Sequence, residues 1–141
     1  QRNSYLKKLA AGEWLGAFSL SEPQSGSDAS NMNTFAEKNN GYYILNGTKN
    51  WVSNGISSDL VIVFAVTKRG VGYKGISAFC IEKGTPGLST GKKEEIYHWG
   101  YYPYSLVMKD VKELYKEGAD AVELEMITQE EFDKIIKPYT P

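Results

Sequence analysis

The sequence predicts a mainly β protein: an antiparallel barrel or sandwich with a short N-terminal helix and an α-helical C-terminal tail. Three observations carry this. Short apolar-alternating runs recur along most of the chain, and period-two alternation marks strands that bury one face. Turn signals built from Gly, Pro and Asn separate these runs at regular spacing. Ten tyrosines and three tryptophans are many for 141 residues, and aromatic side chains suit pleated sheets.

The elements follow in order. Residues 3 to 11 read as the end of a helix, with Tyr5, Leu6 and Leu9 apolar and Gly12 as the stop. Trp14 to Leu20 alternates and reads as a strand, Ser21 to Ser30 as a loop, and Thr34 to Lys38 as a short strand. Tyr42 to Asn46 and Thr48 to Ser53 read as a hairpin about Asn46-Gly47, since Asn-Gly accepts the positive φ of a tight turn. Leu60 to Val66 is continuously apolar and is expected to be buried on both faces. Lys68 to Lys74 is a basic, glycine-rich turn before a strand over Gly75 to Glu82. Pro86-Gly87 turns the chain into Leu88 to Gly91.

The last third differs in composition. Residues 106 to 141 hold nine acidic and five basic side chains. Val111 to Glu117 has helical spacing and stops at Gly118. Thr128 to Glu131 is a capping box that opens a helix carrying Phe132, Ile135 and Ile136. Ala119 to Met126 fits helix or strand equally.

The bulk numbers exclude several function classes. A net charge of −1 provides no basic field for nucleic acid. No apolar run approaches the roughly 20 residues that span a bilayer. Gln1 to Gly12 is polar and basic and does not read as a signal peptide. The single cysteine, Cys80, excludes an internal disulfide, fits a reducing compartment and lies in a strand-like run as an expected buried thiol. No Cys/His cluster supports a metal site, and no glycine-rich strand-to-helix turn supports a Rossmann or P-loop phosphate site. The lone histidine, His98, sits among aromatics and reads as packed or exposed rather than catalytic.

Two blocks point to chemistry. Phe18-Ser-Leu-Ser-Glu-Pro-Gln-Ser-Gly-Ser-Asp28 is a strand running into a turn rich in hydroxyls and N–H groups. Asn46-Gly-Thr-Lys-Asn-Trp-Val-Ser-Asn-Gly55 presents an indole and a hydroxyl two residues apart, and alternation places Trp51 and Ser53 on one face. An indole beside a donor suits a flat polar ring system. Spacing alone leaves open that Trp51 is a core aromatic, that Ser53 and Ser27 are turn hydroxyls, and that Thr67-Lys-Arg69 is a solvated turn.

Together these blocks resemble the middle β-barrel domain of the acyl-CoA dehydrogenase family, the short-chain, butyryl-like branch somewhat more than others. Leu9 to Phe18, Gly75-Ile-Ser-Ala-Phe79 and Glu82-Lys-Gly-Thr-Pro-Gly87 extend the match, which is dense from about residue 5 to 95. It degrades over 96 to 111, where Ile96 to Tyr104 lacks the family's arginine, and is absent over 112 to 141. The division implied is a helical segment over 1–12, a barrel over 13–111 and an unmatched helical tail over 112–141.

The resemblance implies α,β-dehydrogenation of acyl-CoA thioesters with FAD as cofactor and acyl-CoA as substrate. It implies cofactor contacts from Phe18 and Leu20 along the isoalloxazine, Ser21 at its pyrimidine end, Trp51 against the ring and Ser53 near N5. Ser27 would meet the pantetheine arm and Thr67, beside Lys68 and Arg69, the coenzyme A phosphates. Glu22 and Pro23 read as loop-shaping, and Gly26 as the residue of a turn closed to other side chains. No glutamate here matches the family's catalytic base, so no catalytic residue is assigned. The helical domains or subunits that complete the family's site are missing partners, so FAD binding is expected to be weak or absent. The expected compartment is the cytoplasm or the mitochondrial matrix. The alternative is a non-catalytic barrel scaffold, or a chimera, whose flavin face is covered by its own tail.

Overall fold

The structure, a computed structural model, describes residues 2–93 and 104–114. One helix, α1 (Arg2–Ala10), precedes seven strands: β1 (Gly16–Ser19), β2 (Phe35–Asn39), β3 (Tyr42–Val52), β4 (Leu60–Val66), β5 (Ile76–Glu82), β6 (Leu88–Lys93) and β7 (Tyr104–Leu114). They form one curled sheet, a half-barrel, in the order β1-β4-β2-β3-β7-β6, with β5 paired to β4. Most pairs are antiparallel, as the turn spacing implies. The exceptions both involve β4: β1 runs parallel to it with Gly16 opposite Leu60 and Ser19 opposite Val63, and β2 meets it in parallel at Phe35 opposite Val66.

The hairpin is not where the sequence reading puts it. Tyr42 to Val52 is a single eleven-residue strand, and Asn46-Gly47 lies inside it. The turn is Asn40-Gly41, with φ of 40° and 85°, and it joins Asn39 to Tyr42 across β2 and β3. That is the positive-φ pair a two-residue hairpin needs. Gly47 answers a different requirement. A Cβ there would run into the side chain and Cα of Thr34, so the residue permits close backbone approach.

Two further expectations change. The segment with helical spacing after Val111 continues as β7 to Leu114, because Val111 to Leu114 pairs with Leu45 to Tyr42. Cross-strand partners override a weak local propensity. Leu60 to Val66 is buried on one face rather than two. Val61, Val63 and Ala65 enter the core, while Ile62, Phe64 and Val66 stay half-buried. Cys80, opposite Ile62, shares that outer face and is half-buried instead of sealed. His98, residues 94–103 and the predicted tail helix with Phe132, Ile135 and Ile136 lie outside the described residues.

The core fills the concave side of the sheet. Leu45, Val52, Val63, Ala65, Ile81 and Val111 are fully buried, joined by Leu106 and Met108. Burying such a side chain stabilises the fold by about 1.5–3 kcal/mol. The cluster therefore holds β3, β4, β5 and β7 together and fixes the strand ends that carry the candidate site.

Candidate functional site

The site is built where the chain leaving the end of β1 meets β3. In β1, Ala17 and Ser19 point inward, which leaves Phe18 on the outer face, 57 % exposed and tilted against Phe64 with ring centroids 5.2 Å apart. Leu20 and Ser21 follow, both half-buried. The Asn50 N–H donates to the Ser21 carbonyl at 2.8 Å, which ties the end of β1 to β3.

Trp51 reaches the surface by a bulge rather than by simple alternation. Opposite β7, Lys49 pairs with Leu106 and Val52 with Tyr104, so β3 carries one extra residue between them. Trp51 takes a left-handed φ of 60°, and its indole is 52 % exposed. A bulge of this kind re-aims a side chain. Ser53 is the first residue beyond β3, half-buried, at the start of the turn that leads to β4. Strand periodicity thus does not place Trp51 and Ser53 together. The bulge exposes Trp51, the turn leaves Ser53 half-buried, and Val52 between them is buried.

Beneath this surface sits a buried ion pair. The Lys49 ammonium donates to Glu22 Oε1 at 2.7 Å and to the Leu20 carbonyl at 3.0 Å, with side chains 0 % and 2 % exposed. Glu22 Oε1 also accepts the Thr34 N–H at 3.0 Å and Oε2 the Asn33 N–H at 2.5 Å. Burial pushes the Glu22 carboxyl up, but the Lys49 ammonium and these N–H groups outweigh it and hold the group down at about 2. Burial likewise pushes the Lys49 ammonium below its ordinary value, and Glu22 pulls part of that back. Glu22 is thus a loop-shaping residue, as its sequence context suggests. Lys49 has no assigned role in the sequence reading. Its one available signal was a charged residue in an inward position of an otherwise apolar strand face.

The remaining candidates lie on neighbouring loops. Ser27 is exposed. The hydroxyl that satisfies its own loop is Ser25, which donates to the Asp28 carbonyl at 2.7 Å. Gly26 has no left-handed φ and open space where a Cβ would stand, so no special turn conformation requires it. The Thr67 hydroxyl donates to the Gly75 carbonyl at 3.1 Å and lies 2.9 Å from Ser77 Oγ, closing the turn that exposes Lys68 and Arg69. The 3₁₀ turns Ala29–Asn31 and Gly72–Gly75 pack on each other, bringing the Ser27 and Thr67 loops together. Among the described residues no helix is long and apolar enough to cross a membrane.

Comparison with known proteins identifies the family. The sequence profile of the family described as "Acyl-CoA dehydrogenase, middle domain" matches residues 17–111. An acyl-CoA dehydrogenase of Bacillus subtilis is 52% identical over 94 residues, 67% of this chain and 25% of that protein. The structure of butyryl-CoA dehydrogenase from Megasphaera elsdenii superposes with a TM-score of 0.72 and 44% identity, over 79% of this chain and 31% of that one. The structure of PigA with FAD and proline superposes with a TM-score of 0.77 and 36% identity, over 81% and 30%. The chain belongs to the acyl-CoA dehydrogenase family, of which it is the middle β-domain, and FAD is the cofactor of that family. It spans roughly a quarter to a third of the length of these relatives.

Proposed function

We propose that this domain supplies one face and one edge of an FAD site for α,β-dehydrogenation of an acyl-CoA thioester. The observation that carries the reading is the exposure of two aromatics, Phe18 on β1 and Trp51 on β3, where the Asn50–Ser21 hydrogen bond ties the end of β1 to β3. A flat ring system fits them: Phe18 and Leu20 lie along its face, and Trp51 packs against it. Ser21 offers a hydroxyl or N–H to its pyrimidine end and Ser53 a hydroxyl near N5. When bound, FAD accepts the hydride that leaves the thioester β-carbon. This chain's residues bind and orient.

The Ser27 loop takes the pantetheine arm. The turn closed by Thr67 presents Lys68 and Arg69, whose charges suit the coenzyme A phosphates. The base that removes the α-proton, and the rest of the cleft, come from helical domains or subunits beyond the barrel unit 13–111.

A half site holds its cofactor loosely. Immobilising a ligand costs about 4–15 kcal/mol, whereas a few hydrogen bonds return about 0.5–1.5 kcal/mol each. FAD titrated into the chain is therefore expected to bind weakly, shifting the amide signals of Phe18, Ser21 and Trp51 without saturating in the micromolar range. Absence of any shift at millimolar FAD overturns the reading and leaves the scaffold alternative.

A further inference from the structure

We propose that Lys49 is a positioning residue for this site: its buried ammonium holds the Leu20 carbonyl, and through it the Leu20–Ser21 edge, in place beside the Trp51 bulge. The inference rests on the flavin reading above.

An ammonium has three protons to donate. Those of Lys49 face three acceptors: the Leu20 carbonyl at 3.0 Å, Glu22 Oε1 at 2.7 Å and Met32 Sδ at 3.7 Å. Leu20 and Ser21 lie past the end of β1, which stops at Ser19, so the sheet ladder no longer holds them. Among the described residues, two hydrogen bonds reach their backbone, and both come from consecutive positions of β3. The Lys49 side chain takes Leu20, and the Asn50 N–H takes Ser21 at 2.8 Å. The next residue, Trp51, is the one with the left-handed backbone. One short stretch thus sets three of the proposed ring contacts, with Lys49 acting from inside the barrel.

Stability alone does not call for this arrangement. Two charges taken out of water recover little, and apolar residues of similar volume often serve as well or better. What an apolar pair lacks is a donor aimed at the Leu20 carbonyl.

The test uses two variants of the full chain, each read for melting temperature, for hydrogen exchange of the Asn50 amide, and for FAD affinity by titration. Glu22→Gln breaks the ion pair and keeps the donor. It is expected to melt earlier while binding FAD within about twofold of the parent. Glu22→Gln with Lys49→Met removes the charges and the donor together. It is expected to regain stability, yet to exchange Asn50 faster and bind FAD about tenfold more weakly, the scale of one lost charge-assisted hydrogen bond. Affinity and stability then move in opposite directions, which a purely structural role does not produce. The proposal falls if the double variant folds and keeps the parent's affinity or Asn50 exchange rate, or if Glu22→Gln loses affinity in step with stability. If the parent chain itself shows no FAD-induced shift, the flavin reading has failed and takes this inference with it. If the parent binds and the double variant binds equally, the role of Lys49 alone has failed.

Discussion

Lys49 and Glu22 meet at 2.7 Å in the interior of the half-barrel, both sealed from solvent, and the carboxylate also accepts two backbone N–H groups from the loop before β2. The loop 22–34 and strand β3 are therefore joined by charge inside an otherwise apolar core.

This pair gives the fold an acid limit. The Glu22 carboxyl is depressed from 4.5 to about 2, so its contribution is fully present above the unfolded value and is lost as pH falls through the folded one. Urea midpoints measured from pH 6 down to 2 are expected to fall below about pH 4.5 by an amount equivalent to at most about 3 kcal/mol. In Glu22→Gln this acid limb should be flatter. An unchanged limb in that variant would assign the acid sensitivity to other carboxylates.

Removing one partner should cost more than removing both. Lys49→Ala leaves a buried carboxylate unpaired and opens space, and is expected to lose about 3–5 kcal/mol in chemical denaturation. A loss under about 1 kcal/mol would mean that water reaches the carboxylate.

Trp51 should trade stability for binding. A bulky residue with φ of 60° stores about 1–2 kcal/mol of backbone strain. Trp51→Gly relieves it and gives up little burial, because the indole is half exposed. The variant is expected to melt no earlier than the parent and to lose the FAD-induced shifts. Destabilisation by more than about 1 kcal/mol would show that the indole contributes to the core.

Two glycines should behave oppositely. Gly47→Ala forces a methyl against Thr34 and is expected to destabilise by about 1–3 kcal/mol. Gly26→Ala meets open space without a left-handed backbone and should stay within about 0.5 kcal/mol of the parent. Equal melting curves for Gly47→Ala and the parent would refute the close approach of β3 to Thr34.

Catalysis is expected to be absent from the chain by itself. A positioned general base contributes about 10²–10⁴-fold, and none is assigned here. Purified chain with FAD, butyryl-CoA and an electron acceptor should show no thioester-dependent reduction. Turnover abolished by Trp51→Ala would overturn this.

Most of the sheet was legible because its alternation is strong. β4 was read with the bounds observed, and β2, β5 and β6 to within a residue or two. The misread positions share a cause: a local signal with two physical meanings. Asn-Gly occurs at both 40–41 and 46–47, and sequence cannot say which glycine turns the chain and which makes room for Thr34. Likewise, alternation could not foresee the extra residue that turns Trp51 outward, since a bulge is defined by the partner strand. The Glu22–Lys49 pair was hidden because its members lie far apart in sequence and meet only when the sheet curls.

The long ladder between β3 and β7 also shapes how the domain is made. Tyr42 finds Leu114, and Lys49 finds Leu106, across most of the intervening chain. Closing so large a loop is slow, because its entropy is spent before the paired strands repay it. During synthesis, β3 must wait with its inner edge unpaired until β7 emerges from the ribosome. In that interval the half-made sheet offers Leu45 and Val52 to any chaperone or neighbouring nascent chain, so β7, the last of the described strands, is the one that ends its exposure.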